Sequence, residues 1–263
     1  NLKILTMDGG SMIMDRQLEN ISDLTKLKLL TLKNRKIGNA SLLSGLTDLD
    51  VLILVGSTFS DVSPLAKLTK LTKLDISANS FVKDISSLHT LKKMKKFIAG
   101  GGGETKGLKN VKGNIGTSMM EIGDIDVMIN FSDIVEFNFS YNNRLRSIDP
   151  LKHCLNMEEV YLNNCLNLED VSALGAFKKM SILNISSCPK VKELCFLSDL
   201  PTLADFSFNG TIVYSPGFLS NWKTANNMFA LKGNDADPVS RNFVASAKKR
   251  VKQQKILKKA FTK

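Results

Sequence analysis

Two histidines, four cysteines and one glycine run are the places where this chain could do chemistry. General acid–base catalysis needs a titrating group held within hydrogen-bond reach of its target. His89 and His153 show no such arrangement in sequence, and both are expected to be surface or satisfied histidines. Cys154, Cys165, Cys188 and Cys195 form no CxxC pair and no zinc-finger spacing with a histidine, so a zinc site is not expected. The run GGGGETKG at 100–107 fails as a phosphate loop. The lysine of such a loop follows the last glycine and precedes Ser or Thr, whereas Lys106 follows Thr105 and precedes Gly107. Acidic residues such as Asp61, Asp84 and Asp170 fall at turn positions, where a carboxylate closes a turn. The expectation is therefore no catalytic residue, no metal and no cofactor.

The regular feature is spacing. Cys165 and Cys188 lie 23 residues apart, and so do Phe137, Val160, Leu183 and Phe206. Each of these four is followed two positions later by another apolar residue: Phe139, Leu162, Ile185 and Phe208. Earlier, Leu30, Leu52 and Leu74 recur every 22 residues with Leu32, Leu54 and Ile76 as partners. A fixed period of this length marks a protein of stacked repeats. The x-separated pairs read as short strands whose two members face a core, because side chains alternate faces along a strand. Nine such pairs are legible, beginning at Leu5, Leu30, Leu52, Leu74, Phe97, Phe137, Val160, Leu183 and Phe206. In the unit LTKLTKLDISANSFVKDISSL (68–88), Phe81, Ile85 and Leu88 are expected to fill the return arm. Asn79 is expected to bond backbone where the chain leaves the strand, with copies forming a ladder. The 40 residues between Phe97 and Phe137 leave room for a degenerate unit near Met120 and Ile122.

At these residues the chain resembles the leucine-rich repeat family. The pattern L-x-x-L-x-L-x-x-N/C matches Leu71–Asn79, Ile134–Asn142, Met157–Cys165 and Met180–Cys188. The 22-residue units resemble the short class, which includes internalins and a regulatory subunit of type 1 protein phosphatase. The later units resemble cysteine-containing repeats. The resemblance covers about residues 2–212. It implies an α/β leucine-rich-repeat solenoid with a curved parallel sheet on the concave side; where the pattern stops after Ile212, a C-terminal cap and then a basic helix, with Phe243, Ala247, Val251, Leu257 and Phe261 near one face, are expected.

The expected division is a solenoid over 1–212 with an irregular unit near 98–136, a cap over 213–232, and a linker with a basic amphipathic helix over 233–263. The net charge is +11. Nine cations and no Asp or Glu lie between Pro238 and Lys263, which leaves +2 for the first 237 residues. A nearly neutral body with a basic tail suggests an acidic partner. Arg241, Lys248, Lys249, Arg250, Lys252, Lys255, Lys258 and Lys259 are the candidate contacts. RNA or a ribonucleoprotein, an acidic protein or membrane, an import receptor and a plain solvated face remain open for that tail. No apolar run approaches the ~18 residues of a membrane span. Buried reduced thiols would suit an intracellular setting. Six Asn-x-Ser/Thr triplets occur, and most are read as repeat asparagines.

The other candidate surface is the concave face. If Leu30 and Leu32 face the core, the alternate positions face outward. Leu29, Val51, Ile53, Val55 and Ile98 are then expected to form an exposed apolar patch, and such patches mark interaction sites. In the second half Glu136, Glu159 and Tyr161 give a polar, mildly acidic lining. The expected function is a non-catalytic scaffold that binds a protein partner on this face, as a subunit of a larger complex. Two alternatives remain: a regulatory subunit of an enzyme such as a protein phosphatase, and a surface or secreted adhesin.

Overall fold

The computed structural model describes residues 1–8, 18–34, 37–101, 119–208, 210–211 and 230–232. Ten parallel strands follow one another in chain order across one open sheet. They are β1 Ile4–Asp8, β2 Leu29–Lys33, β3 Val51–Val55, β4 Lys73–Asp75, β5 Lys96–Ile98, β6 Glu136–Asn138, β7 Glu159–Tyr161, β8 Ile182–Asn184, β9 Asp205–Ser207 and β10 Ala230–Lys232. Parallel neighbours need a return path. Here it is supplied eight times by a 3-10 segment of four or five residues, from Glu19–Asp23 to Cys195–Asp199. Single turns of this kind suit a repeat too short to hold an α-helix.

The core is a stack of equivalent side chains. Leu5, Leu30, Leu52, Leu74, Phe97, Phe137, Val160, Leu183 and Phe206 stand side by side in one register, the nine positions expected from the period. From Leu30 onward all are fully buried, each contributing roughly 1.5–3 kcal/mol by leaving water. Their partners two residues on pack beside them. Phe137 stacks on Phe139 with ring centroids 4.3 Å apart, and Phe206 on Phe208 at 4.9 Å.

Two local devices end β3, β4, β6, β7, β8 and β9. The first is a residue in the left-handed region: Gly56, Ala78, Tyr141, Asn164, Ser187 and Gly210 have φ between 56° and 73°. That conformation costs a non-glycine residue ~1–2 kcal/mol. The second device offsets it, because the following residue bonds backbone of the preceding repeat. Asn79 donates to the Leu54 carbonyl at 2.6 Å and accepts from the Ser57 amide at 2.7 Å. Asn142 donates to Ala99 and accepts from Ile122. The thiols of Cys165 and Cys188 donate to Phe139 and Leu162 at 3.2 and 3.0 Å. Thr211 closes the series on Ile185 at 2.6 Å. The 3-10 segments are capped with the same beat: Asn39, Asp61, Asp84, Asp124 and Asp170 each accept a backbone amide two residues on.

Three expectations change. Phe81 does not fill the return arm: it is 61% exposed, and the fully buried Val82 takes the inward position. Phe97 pairs directly with Phe137, so no strand of the sheet lies between them. Met120 instead forms an isolated bridge with Asn142, beyond the strand, and Ile122 joins the core. Residues 102–118 lie outside the described residues. Finally, residues 230–232 extend the sheet as β10, paired to β9. The remainder of the expected cap and the whole expected basic helix lie outside the described residues.

Candidate interaction surface

The strand positions that alternate with the core form rows across the inner face of the sheet. One row runs Ile4, Leu29, Val51, Lys73, Lys96, Glu136, Glu159, Ile182, Asp205. The next runs Thr6, Thr31, Ile53, Asp75, Ile98, Asn138, Tyr161, Asn184, Ser207. Neighbours in a row lie about 4.8 Å apart. The first row is thus a sequence of chemistries read across the strands: apolar, then basic, then acidic with Ile182 between Glu159 and Asp205.

Of the five aliphatics expected to be exposed, Leu29, Val51 and Ile53 are half-buried and adjacent on β2 and β3. Val55 and Ile98 are buried, so the expected patch is smaller. Ile98 sits in the second row between Asp75 and Asn138, which are also buried. Val55 lies where the chain turns away at Gly56. A residue the sequence reading passed over joins the patch: Ile4 on β1 is 62% exposed and in register with Leu29. The same alternation that picks out Leu29 would have found it.

The acidic end is internally ordered. Glu136 accepts a 2.9 Å ion-paired bond from Lys96 on the neighbouring strand. That bond, with further help from Glu159 and Glu158, holds the Lys96 ammonium above its ordinary pKa. The Tyr161 hydroxyl donates to Glu159 at 2.7 Å. Burial first, then this carboxylate, push its pKa up, so Tyr161 remains a hydrogen-bond donor. Ser140 donates to Asn163 at 2.6 Å on the same face. Glu136, Glu159 and Tyr161 are therefore brought together as expected.

Asp75 is buried in the second row, and desolvation raises its pKa. His89 is exposed on a 3-10 segment with Nδ1 3.1 Å from the Ser86 carbonyl. Among the described residues, no group of three or more His, Cys, Asp or Glu is placed to hold a metal ion. None of the described helices is long and apolar enough to cross a membrane. The eight candidate tail contacts, Arg241, Lys248, Lys249, Arg250, Lys252, Lys255, Lys258 and Lys259, lie outside the described residues.

Charge is segregated along the solenoid in a way that the near-neutral total concealed. Residues 1–100 hold 15 Lys and Arg against 9 Asp and Glu, while residues 119–211 hold 7 against 13. Counting by half would have exposed this in the sequence.

The succession of a short strand of three to five residues, a left-handed exit, a donor ladder and a 3-10 return, repeated in one parallel sheet, decides the architecture. The fold is a leucine-rich-repeat solenoid. Its solved likenesses agree. An internalin from Listeria monocytogenes superposes with a TM-score of 0.58 at 20% identity, over 84% of this chain and 67% of that one. Internalin C2 of the same organism gives 0.65 at 19%, over 81% and 83%. The Arabidopsis receptor kinase HAESA, solved in complex with the peptide hormone IDA and the co-receptor SERK1, gives 0.64 at 16%. This solenoid spans 85% of the present chain and 37% of that receptor chain. No family model matches the sequence, and no curated protein matches it.

Proposed function

We propose that this protein is a non-catalytic interaction scaffold that binds a protein or peptide through the inner face of its solenoid. The observation that supports this is the ordered row from Ile4 to Asp205, where apolar, basic and acidic side chains follow one another on a rigid frame. Rigid presentation lowers the entropy lost on binding. HAESA, of similar fold, has been solved with a peptide hormone, and a partner of that general kind is proposed here.

The basic tail, with nine cations and no anion from Pro238 onward, is proposed to anchor the scaffold to an acidic, RNA-containing assembly. Such contacts weaken steeply with salt. Deleting residues 240–263 should abolish salt-sensitive association, and unchanged association would remove the anchoring role. The reduced thiols Cys154, Cys165 and Cys188 in the core support an intracellular location.

The test of the scaffold reading is crosslinking in the native source, comparing Glu159→Lys combined with Tyr161→Ala against Lys152→Glu on a return segment. Loss of the crosslinked partner with the inner-face variant alone supports the reading. Equal loss with both, or with neither, refutes it.

A further inference from the structure

The reading of the inner face as an interaction surface leaves its partner's chemistry open, and the first five repeats narrow it. On the flank leading into β4 and β5, Lys67, Lys70, Lys73, Lys92, Lys93 and Lys95 crowd two adjacent repeats, with Lys96 beside them. Lys73 and Lys96 are register partners, and the Lys95 amide is bonded to the Thr72 carbonyl at 2.8 Å. Some of this charge is answered locally. Lys70 pairs with Asp48, Lys96 with Glu136, and Lys92 donates to Asn130. Lys73, Lys93 and Lys95 form no ion pair among the described residues. Lys93 and Lys95 are fully on the surface.

This basic cluster is continuous with the apolar patch: Val51 stands in register with Lys73, and Leu29 with Val51. We propose that repeats 1–5 bind an extended acidic segment of a partner protein, carrying an apolar anchor ahead of its carboxylates. The anchor sits on Leu29, Val51 and Ile53, and the carboxylates face Lys73, Lys93 and Lys95. From β2 to β5 is three strand spacings, about 14 Å. An extended peptide covers that in about four residues, which sets the separation between anchor and first carboxylate. Nucleic acid fits this patch less well. Sequence-tolerant binding of single strands rests on aromatic platforms, and the inner-face neighbours of these lysines are aliphatic. Tyr161, the aromatic of this face, lies among carboxylates in the other half. The acidic half, in turn, would repel this ligand and so fixes its place and direction on the solenoid.

The inference rests on the scaffold reading, and the experiment separates the two. The full chain is titrated, by fluorescence anisotropy, with a labelled synthetic peptide bearing a Leu-Phe pair followed after three residues by four glutamates. The expected result is saturable binding that weakens at least tenfold in Lys93→Glu/Lys95→Glu. Both side chains are exposed, so far-ultraviolet dichroism should be unchanged. Binding should also weaken severalfold in Val51→Ser, which removes anchor contact without altering charge. Replacing the seven cations between Lys248 and Lys259 by Gln should change affinity less than twofold. Loss of binding in that tail variant, or none in Lys93→Glu/Lys95→Glu, overturns the inference. So does an RNA oligonucleotide that binds more tightly than the peptide with the same Lys93/Lys95 dependence. If the acidic peptide fails while a basic peptide binds in a manner sensitive to Glu159→Lys, the inference falls and the scaffold reading stands.

Discussion

Asn79 offers the sharpest test of what holds one repeat to the next. The side chain is 1% exposed. Its Oδ1 accepts from the Ser57 amide at 2.7 Å, and its Nδ2 donates to the Leu54 carbonyl at 2.6 Å. It also reaches the carbonyls of Ile76 and Ser77 at 2.8 and 3.1 Å within its own repeat. Asn79→Ala deletes all four bonds. An unsatisfied buried donor or acceptor costs ~1–3 kcal/mol, so orphaning Ser57 and Leu54 should destabilise by about 4 kcal/mol. That is a large share of the ~5–15 kcal/mol that holds a typical domain folded. Asn79→Cys makes a different prediction. In later repeats Cys165 and Cys188 occupy this position and donate across the same gap at 3.2 and 3.0 Å. Their sulfurs also lie against the backbone amides of Asn142 and Cys165 respectively. A thiol at 79 should therefore restore both contacts weakly and halve the loss, to about 2 kcal/mol. Urea unfolding followed by far-ultraviolet dichroism measures both variants. The reasoning is refuted if Asn79→Ala costs under ~1 kcal/mol, or if Asn79→Cys is no better than Asn79→Ala.

Asp75 accepts the Ser77 amide at 3.0 Å, as Asn138 accepts Ser140 and Asn184 accepts Ser186. Desolvation raises its pKa above 3.8, so its ionised form lowers stability at neutral pH, and the penalty disappears as pH falls below 3.8. Asp75→Asn should keep the bond and raise Tm by roughly 2–4 °C at pH 7, a gain that shrinks in acid. Burial pushes the thiol of Cys154 up to about 11 and that of Cys188 up to about 12. At pH 8 a thiol-specific disulfide reagent should label the exposed Cys195 quickly and the three buried thiols only on unfolding. With raised folded pKa values, stability should fall from pH 9 towards pH 11, by ~1.4 kcal/mol per unit for each buried thiol. Phe81→Ser should change the unfolding free energy from urea titration by under ~0.5 kcal/mol, whereas Phe137→Ala, at a fully buried position, should cost ~3–5 kcal/mol.

The frame was legible in the sequence because its rules are short-range and periodic. Leu52 and Leu54 must face one way if the strand is a strand, and a 22-residue step places Leu74 beside Leu52. Local chemistry was legible too: Asp61, Asp84 and Asp170 cap because an Asx oxygen two residues before an amide is well placed to accept it. Phe81 and Val82 are adjacent apolar candidates for one inward site, and spacing alone does not tell which of them the chain turns inward. The register across 98–136 stayed open because a long interval of about two periods can hold either an extra repeat or an insertion. Only the pairing of Phe97 with Phe137 distinguishes them. Strand β10 was illegible because Leu231, 25 residues past its register partner Phe206, has no apolar partner two positions on, Gly233 standing there. Val55 and Ile98 were misplaced because alternation says which face a side chain is on. It does not say how deeply that side chain is buried.

The surface escapes the period for a physical reason. In a solenoid strand, core and inner-face positions alternate, and only the core positions must match their neighbours. Leu52, Leu74, Phe97 and Phe137 are interchangeable apolar fillers of one column, and their type could be guessed from any one of them. The column beside them reads Val51, Lys73, Lys96, Glu136 and changes character at nearly every step. Its members neither nucleate the strand nor fill the core, so packing leaves their identity open. The 15 to 9 excess of cations in the first hundred residues and the 7 to 13 deficit over residues 119–211 are therefore not dictated by core packing, although some of those acids cap 3-10 segments. Like charges such as Glu136 and Glu159, held in register on adjacent strands, are mildly unfavourable. Here Lys96 and the Tyr161 hydroxyl each answer one of the two carboxylates, so the row carries its own compensation for a pairing that the core does not require.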